Sequence, residues 1–253
     1  MENRLFVGSV KKAFEIIEAF DVTTQSMSLT ELVQVTGMGK SAVQRYVYTL
    51  EELGYLTKSP TSKRYELSLK MLLPASSYLS QNNLVSAINP HIINLRQNLD
   101  ARVGVSVYHQ ERVVYLIPLQ SITEAYPNDY PGFTVPIFCT SSGRIFLSTF
   151  DDNKVESILE KETKKSFTPL TMTNEVDIKN EVHKFKQNGY CITNQEISHG
   201  KINISVPILD YDKEIIACIV AVFKTSEWDE SRLIKEVFPK IQEVASFIRV
   251  PSR

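Results

Sequence analysis

The sequence predicts an α+β protein in two parts: an N-terminal winged helix-turn-helix, and a C-terminal domain with a mainly antiparallel sheet, joined by a linker helix. Three observations carry this. Residues 28–67 read as short helix, glycine turn, longer helix and hairpin. From Ser68 to Leu99 the apolar residues keep a helical period. Beyond Asp100 the period drops to two, and short strands then mix with amphipathic helices. At 253 residues and 43% hydrophobic, the chain is long enough for two ordinary domains and apolar enough for a core in each. The expected boundaries are 1–68 for the winged helix, 69–83 for the linker helix and 84–253 for the second domain.

In chain order, Val10, Ala13, Phe14, Ile16, Ile17 and Phe20 mark an amphipathic first helix whose apolar face is expected to be core, with Ser9 as its cap. Ser28, with Glu31 three residues on, forms a capping box, and Met27 and Leu32 are placed to staple across it. Leu29, Leu32 and Val33 give that helix a buried face, and Thr36-Gly37-Met38-Gly39 ends it. A second helix runs from Lys40 to Leu53 on Val43, Tyr46, Val47, Leu50 and Leu53, and Gly54 follows as its left-handed stop. Its opposite face carries Ser41, Gln44, Arg45 and Tyr48 at i, i+3, i+4 and i+7. Glutamine suits the edge of adenine and arginine that of guanine. Lys40 and Ser41 stand at the helix N-terminus, where backbone amides favour phosphate. Strands at 55–58 and 64–67, turning at Ser59-Pro60-Thr61-Ser62, form a wing with Lys58, Lys63 and Arg64 near its tip.

A linker helix follows through Leu72, Leu73, Tyr78 and Leu79, with Pro74 in its first turns. Asn82 or Asn83 caps the next helix, along Leu84, Ile88, Ile92, Leu95 and Leu99, which Pro90 is expected to kink or break. A hairpin over 103–117 turns at His109–Arg112. An irregular stretch from Gln120 to Gly132 is long enough to be functional. Val135–Phe138 reads as a short strand, Ser141-Ser142-Gly143 opens a short helix to Leu147, and helices follow at 151–161 and 174–188. Strands at 190–193, 202–209 and 215–223 and a helix over 231–249 complete the chain.

Composition excludes several classes. No apolar run approaches the length of a membrane span, and the N-terminus lacks the apolar core of a signal peptide. Three scattered cysteines, Cys139, Cys191 and Cys218, make no disulfide framework and fit a reducing cytoplasm. The net charge is −1, yet residues 40–70 hold six basic against three acidic side chains, a local +3 that suits a DNA binder acting in pairs. A Cys-dependent hydrolase needs a thiol beside an imidazole. Cys191 and Cys218 lie in apolar strand patterns, which leaves Cys139, expected at a pocket edge, as the one thiol of interest. The four histidines show no metal-ligand spacing. The expectation is therefore no catalytic residue, no metal and no cofactor. A ligand sensor acting through protein partners is the other class left open.

Several stretches together resemble the IclR family of transcription regulators. They are Gly39-Lys40-Ser41-Ala42-Val43-Gln44-Arg45, Leu50 to Leu56 and Arg64-Tyr65-Glu66-Leu67 in the first part. In the second they are Gly132, Pro136, Ser142 to Ser148, Phe167 to Thr171, and Gly189 to Glu196 with Gly200 and Val206-Pro207-Ile208. The likeness covers about Phe6 to Phe247. It implies a GAF- or profilin-like effector-binding domain, a homodimer or homotetramer on a double-stranded DNA operator, and a small-molecule effector, an organic acid or similar catabolic metabolite. It also implies an anion site where Ser141-Ser142-Gly143 stands, which agrees with small residues exposing helix N-terminal amides. Family members that bind small acids carry an acidic residue, a thiol and two hydroxyls at positions matching Thr193, Asn203, Val220 and Val222. The substitutions here imply a more apolar floor and an effector with one polar end and an apolar body.

Overall fold

The computed structural model describes residues 5–122, 130–248 and 250. The chain divides into two compact units between Ser80 and Gln81.

In the first unit, α1 (Gly8–Glu18), α2 (Leu29–Thr36) and α3 (Lys40–Glu52) precede β1 (Leu56–Lys58) and β2 (Tyr65–Leu67). The capping box forms as the sequence predicts: the Glu31 amide donates to Ser28 Oγ and the Ser28 amide to Glu31 Oε2. Gly37, at φ 66°, closes α2 in the left-handed conformation that costs glycine nothing. Ile16, Phe20, Met27, Leu32, Val43, Val47, Leu50, Leu56 and Tyr65 form the core. Met27 pairs with Tyr65 through both backbone groups, an isolated antiparallel bridge on the far side of β2 from β1.

The first helix departs from expectation. Val7, not Ser9, is its N-cap, and it makes no side-chain cap. Val10 and Phe14 are exposed, because the core of this small unit reaches only Ile16, Phe20 and the flank of Ile17. Leu53 is exposed as well: α3 stops at Glu52 and the chain reverses at Gly54. A 3-10 turn at Leu69–Met71 leads into α4 (Leu72–Ser80), none of whose residues is buried.

The second unit opens with α5 (Asn83–Leu99), capped by Asn82 and continuous through Pro90, so of the expected kink or break the break does not occur. Its sheet runs in the order β5-β4-β3-β8-β7-β6, all antiparallel, from β3 (Arg102–His109), β4 (Arg112–Gln120), β5 (Thr134–Val135), β6 (Cys191–Asn194), β7 (Lys201–Leu209) and β8 (Ile215–Lys224). One face packs α6 (Ser141–Leu147), α7 (Asp152–Lys161) and α8 (Glu175–Asn188) over Val113, Tyr115, Cys191, Cys218, Val220 and Val222. The other packs α5 and the C-terminal helix, which starts at α9 (Glu230–Arg232), passes a π turn at Leu233–Val237 and continues as α10 (Phe238–Phe247). Of the irregular stretch expected at 120–132, residues 123–129 lie outside the described residues, as does Arg249. The expected strand at Val135–Phe138 ends at Val135. Pro136 onward turns instead, burying Ile137, Phe138 and Cys139 under α6.

Candidate functional site

The face of α3 opposite its buried stripe is exposed as the helical spacing requires. Ser41, Gln44, Arg45 and Tyr48 line one groove with Lys58 and Tyr65 of the wing, about 530 Å³ in volume. Thr49 and Glu51 line it too, which the sequence reading did not single out. Lys40 is exposed at the start of α3, and Lys63 is exposed in the wing turn at φ 58°. The Lys58 ammonium sits 4.9 Å from the centre of the Tyr65 ring. Arg64 does something different. Its Nε donates to Ser26 Oγ at 2.9 Å, and its Nη2 donates to the Ser26 carbonyl at 2.8 Å and pairs with Glu31 at 2.9 Å. It ties the wing to the start of α2, so its guanidinium is committed within the unit rather than projecting from the wing tip.

In the second unit a cavity of about 280 Å³ opens on the face of the sheet that carries α6, α7 and α8. Cross-strand register explains its floor. Thr193 pairs with Asn203, Asn203 with Val222 and Val222 with Arg102, so these four share one face in one row across β6, β7, β8 and β3. Asn203, Val222 and Arg102 line the cavity, with Lys201 two residues along β7. Tyr115, Pro118, Leu119, Tyr130, Phe133 and Val135 wall it, and Thr140, Ile197 and Ser198 complete the lining. The Phe133 ring stacks on Tyr115 at 6.4 Å and meets Tyr130 edge-on at 6.0 Å. Arg102 Nε and Nη2 both donate to the Leu119 carbonyl, at 3.3 and 3.2 Å. Burial pushes the Tyr115 hydroxyl above its usual range, with Arg102 working against it.

Other residues expected in the site do not line the cavity. Ser141 is buried and shares a 2.6 Å hydrogen bond with Ser205 on β7. Ser205 pairs with Val220, which is buried in the adjacent row. Gly143 donates its amide to Thr140 Oγ1 at 3.3 Å, and a methyl group on it would fall 2.0 Å from the Ile137 carbonyl oxygen. Its role is close approach, and the N-cap of α6 is Thr140. Thr193 is buried and accepts from Asn203 Nδ2 at 3.3 Å. Among the described residues, Ser142 Oγ, Ser106 Oγ, Asn203 Oδ1 and Tyr130 Oη are buried polar atoms without a partner. Within α6, Arg144, 1% exposed, pairs with Glu196 at 2.7 Å, and Glu196 also accepts from the Met172 amide. Burial pushes the Glu196 carboxyl up, and Arg144 works against it.

Sequence reasoning missed Arg102, Lys201 and the aromatic wall. Only the alternation of β3 and β7 hinted at their facing, since the partner strands lie about a hundred residues away. Cys139 is fully buried in the core rather than at a pocket edge, and burial pushes its thiol up to about 12, as it does that of Cys191. No group of three metal-ligating side chains occurs among the described residues, and no helix among them is long and apolar enough to cross a membrane.

A winged helix-turn-helix in one unit and a lined cavity in an α+β unit define a DNA-binding regulator that carries its own effector-binding domain. Residues 9–60 match the model of the IclR helix-turn-helix domain, and residues 76–250 that of the bacterial transcriptional regulator IclR C-terminal domain. The chain belongs to the IclR family of transcriptional regulators. It is 28% identical over 250 residues to the p-hydroxybenzoate hydroxylase transcriptional activator of Acinetobacter baylyi, covering 96% of this chain and 91% of that protein. The fold matches a crystal structure of an IclR family transcriptional regulator from Brucella abortus, with TM-score 0.80, 22% identity and coverage of 97% and 92%. It also matches an IclR homolog from Microbacterium hydrocarbonoxydans complexed with 4-hydroxybenzoate, with TM-score 0.74, 19% identity and coverage of 94% and 96%.

Proposed function

We propose that α3 reads operator sequence through Gln44 and Arg45, with Ser41 and Tyr48 beside them and Lys40, Lys58 and Lys63 on flanking phosphates. The regulator acts in the cytoplasm without catalysing a reaction, and its effector is a small organic acid held in the cavity over Asn203 and Val222. The observation that carries the DNA reading is the single groove in which Ser41, Gln44, Arg45, Tyr48 and Lys58 converge. The cavity supports the effector reading, since a mostly apolar wall with a few convergent polar groups suits a small ligand. Ser141 and Ser142 are not among the residues lining this cavity.

We propose further that the working form is a homodimer or a larger assembly of it. Phe6, Val7, Val10 and Phe14 around α1, and Leu69, Leu72, Leu73 and Tyr78 around α4, are exposed apolar side chains suited to a second copy. One reading helix with a local +3 gains specific affinity when doubled on a two-fold operator. The linker helix α4 is the element whose two arrangements the effector would bias.

Arg45→Ala tests the DNA reading. It should cost about 1–3 kcal/mol on the operator and clearly less on unrelated DNA in fluorescence anisotropy. Equal losses on both would reduce Arg45 to a phosphate contact.

A further inference from the structure

The six-stranded sheet of the second unit ends in two edges that are finished differently. At one, β5 is only two residues long, too short to template another strand. At the other, β6 presents Cys191-Ile192-Thr193-Asn194 in unbroken register with β7. It carries no proline, charge or bulge, the usual devices that blunt an edge.

One hydrogen bond fixes where its backbone groups point. The Gln195 amide donates to the Lys201 carbonyl at 2.7 Å, back toward β7. The peptide bond is trans, so the Asn194 carbonyl points the opposite way. Backbone groups of successive strand residues alternate between the two sides. The amides and carbonyls of Ile192 and Asn194 therefore face away from β7, while those of Cys191 and Thr193 face it. Among the described residues no backbone group bonds Ile192 or Asn194 on that outer side, and the Ile192 carbonyl meets only the Cys191 thiol, at 3.9 Å.

This edge lies in a groove of about 470 Å³. Helices from both faces of the sheet line it with β6: Lys184 and Phe185 of α8 from one, Glu230 of α9 and Ile234 of the π turn from the other. Ile234 and Leu170 bring exposed apolar side chains to it. Its two bases are engaged, Lys184 by Glu181 at 2.6 Å and Arg144 by Glu196 at 2.7 Å. Glu230 is the lining acid without an ion pair among the described residues, so the groove carries an acidic surplus.

From this arrangement we infer that β6 is a docking edge for an extended segment of another protein, which adds to the sheet as a seventh strand. Its backbone pairs with Ile192 and Asn194, its alternate apolar side chains pack against Leu170, Phe185 and Ile234, and a lysine or arginine meets Glu230. Helices flank the edge from both faces. That favours a single extended segment over a second copy of this chain, whose own β6 carries the same flanking helices. The inference is independent of the operator and effector readings.

The test is hydrogen exchange followed by NMR on the full chain, with a capped five-residue peptide of alternating valine and threonine ending in lysine. The peptide should slow exchange at the Ile192 and Asn194 amides about tenfold or more, because both gain cross-strand partners. Cys191 and Thr193, which already face β7, should change little. A peptide N-methylated at its pairing amides should protect neither residue, and one ending in glutamate should bind about threefold or more weakly. Glu230→Gln, at an exposed position, should erase the preference for lysine over glutamate and keep the backbone protection. No protection by the lysine peptide at about millimolar concentration would overturn the inference. Equal protection by the N-methylated peptide would overturn strand addition, and equal binding of the lysine and glutamate peptides would overturn the role of Glu230. Slow exchange at Ile192 and Asn194 in the free chain that quickens on dilution would give the edge to a second copy and overturn the inference as well.

Discussion

Two residue-scale constructions hold their units in opposite electrostatic regimes. The capping-box carboxylate of Glu31 is partly exposed and accepts from the Ser28 amide and from Arg64. These donors favour the charged form, hydrogen bonding from Ser28 first, and lower its pKa from 4.5 to about 2. A depressed carboxylate contributes its stability above the unfolded value and loses it as pH falls through the folded one. The melting-temperature gap between the parent and Glu31→Gln should therefore be full at pH 5 and close between about pH 4.5 and 2. A gap independent of pH would mean the carboxylate's charge contributes nothing. The Arg144–Glu196 pair is buried instead, so its desolvation cost offsets its attraction. Removing one partner leaves the other charge uncompensated. Glu196→Ala should destabilise the second unit by about 3–5 kcal/mol in denaturant unfolding. A loss under about 1 kcal/mol would mean water reaches Arg144 and solvates it.

At the scale of elements, the wing is two short strands whose basic residues divide their labour. Arg64 faces inward to Ser26 and Glu31, whereas Lys63 is exposed in the turn and Lys58 lines the groove beside α3. If Lys63 contacts phosphate as proposed, Lys63→Gln removes one such contact per protomer of the proposed dimer, and the slope of log K against log salt should flatten by roughly 2. Arg64→Gln should leave that slope unchanged and lower the melting temperature instead. The reverse pattern would return Arg64 to the DNA surface and remove Lys63 from it. Helix α6 shows the same division. It is buried along its whole length, and its start is secured by Thr140, by the close approach of Gly143 to Ile137 and by the Ser141–Ser205 bond. Its polar residues serve the fold before they serve a ligand.

For the whole molecule, the two units differ in how much apolar surface they leave uncovered. In the first, Phe6, Val7, Val10 and Phe14 remain exposed while Ile16 and Phe20 are buried. An apolar face left on so small a unit is more economically explained by a second copy than by solvent. The double variant Val10→Ser with Phe14→Ser should shift sedimentation toward monomer and weaken operator binding, with the fold of the second unit intact. An unchanged sedimentation coefficient would place the assembly interface elsewhere.

The local features of this protein were determined by sequence alone. The Ser28–Glu31 box, the Gly37 turn, the exposed polar face of α3 and the Asn82 cap all depend on residues within one or two turns of each other. Such patterns are legible because helical and strand periods act over short spans. The family likeness also named Asn203 and Val222, which do line the cavity. What the sequence could not supply was which residues meet across strands. Arg102 stands in one row with Asn203 only because β8 runs between β3 and β7 in the sheet. Ser141 is committed to Ser205, and Arg64 to Ser26, by contacts 64 and 38 residues apart in the chain. The spacing of apolar residues decides which face is buried. Tertiary packing decides which buried polar groups find partners and which are left for a ligand, because that depends on register and close approach between segments far apart in the chain.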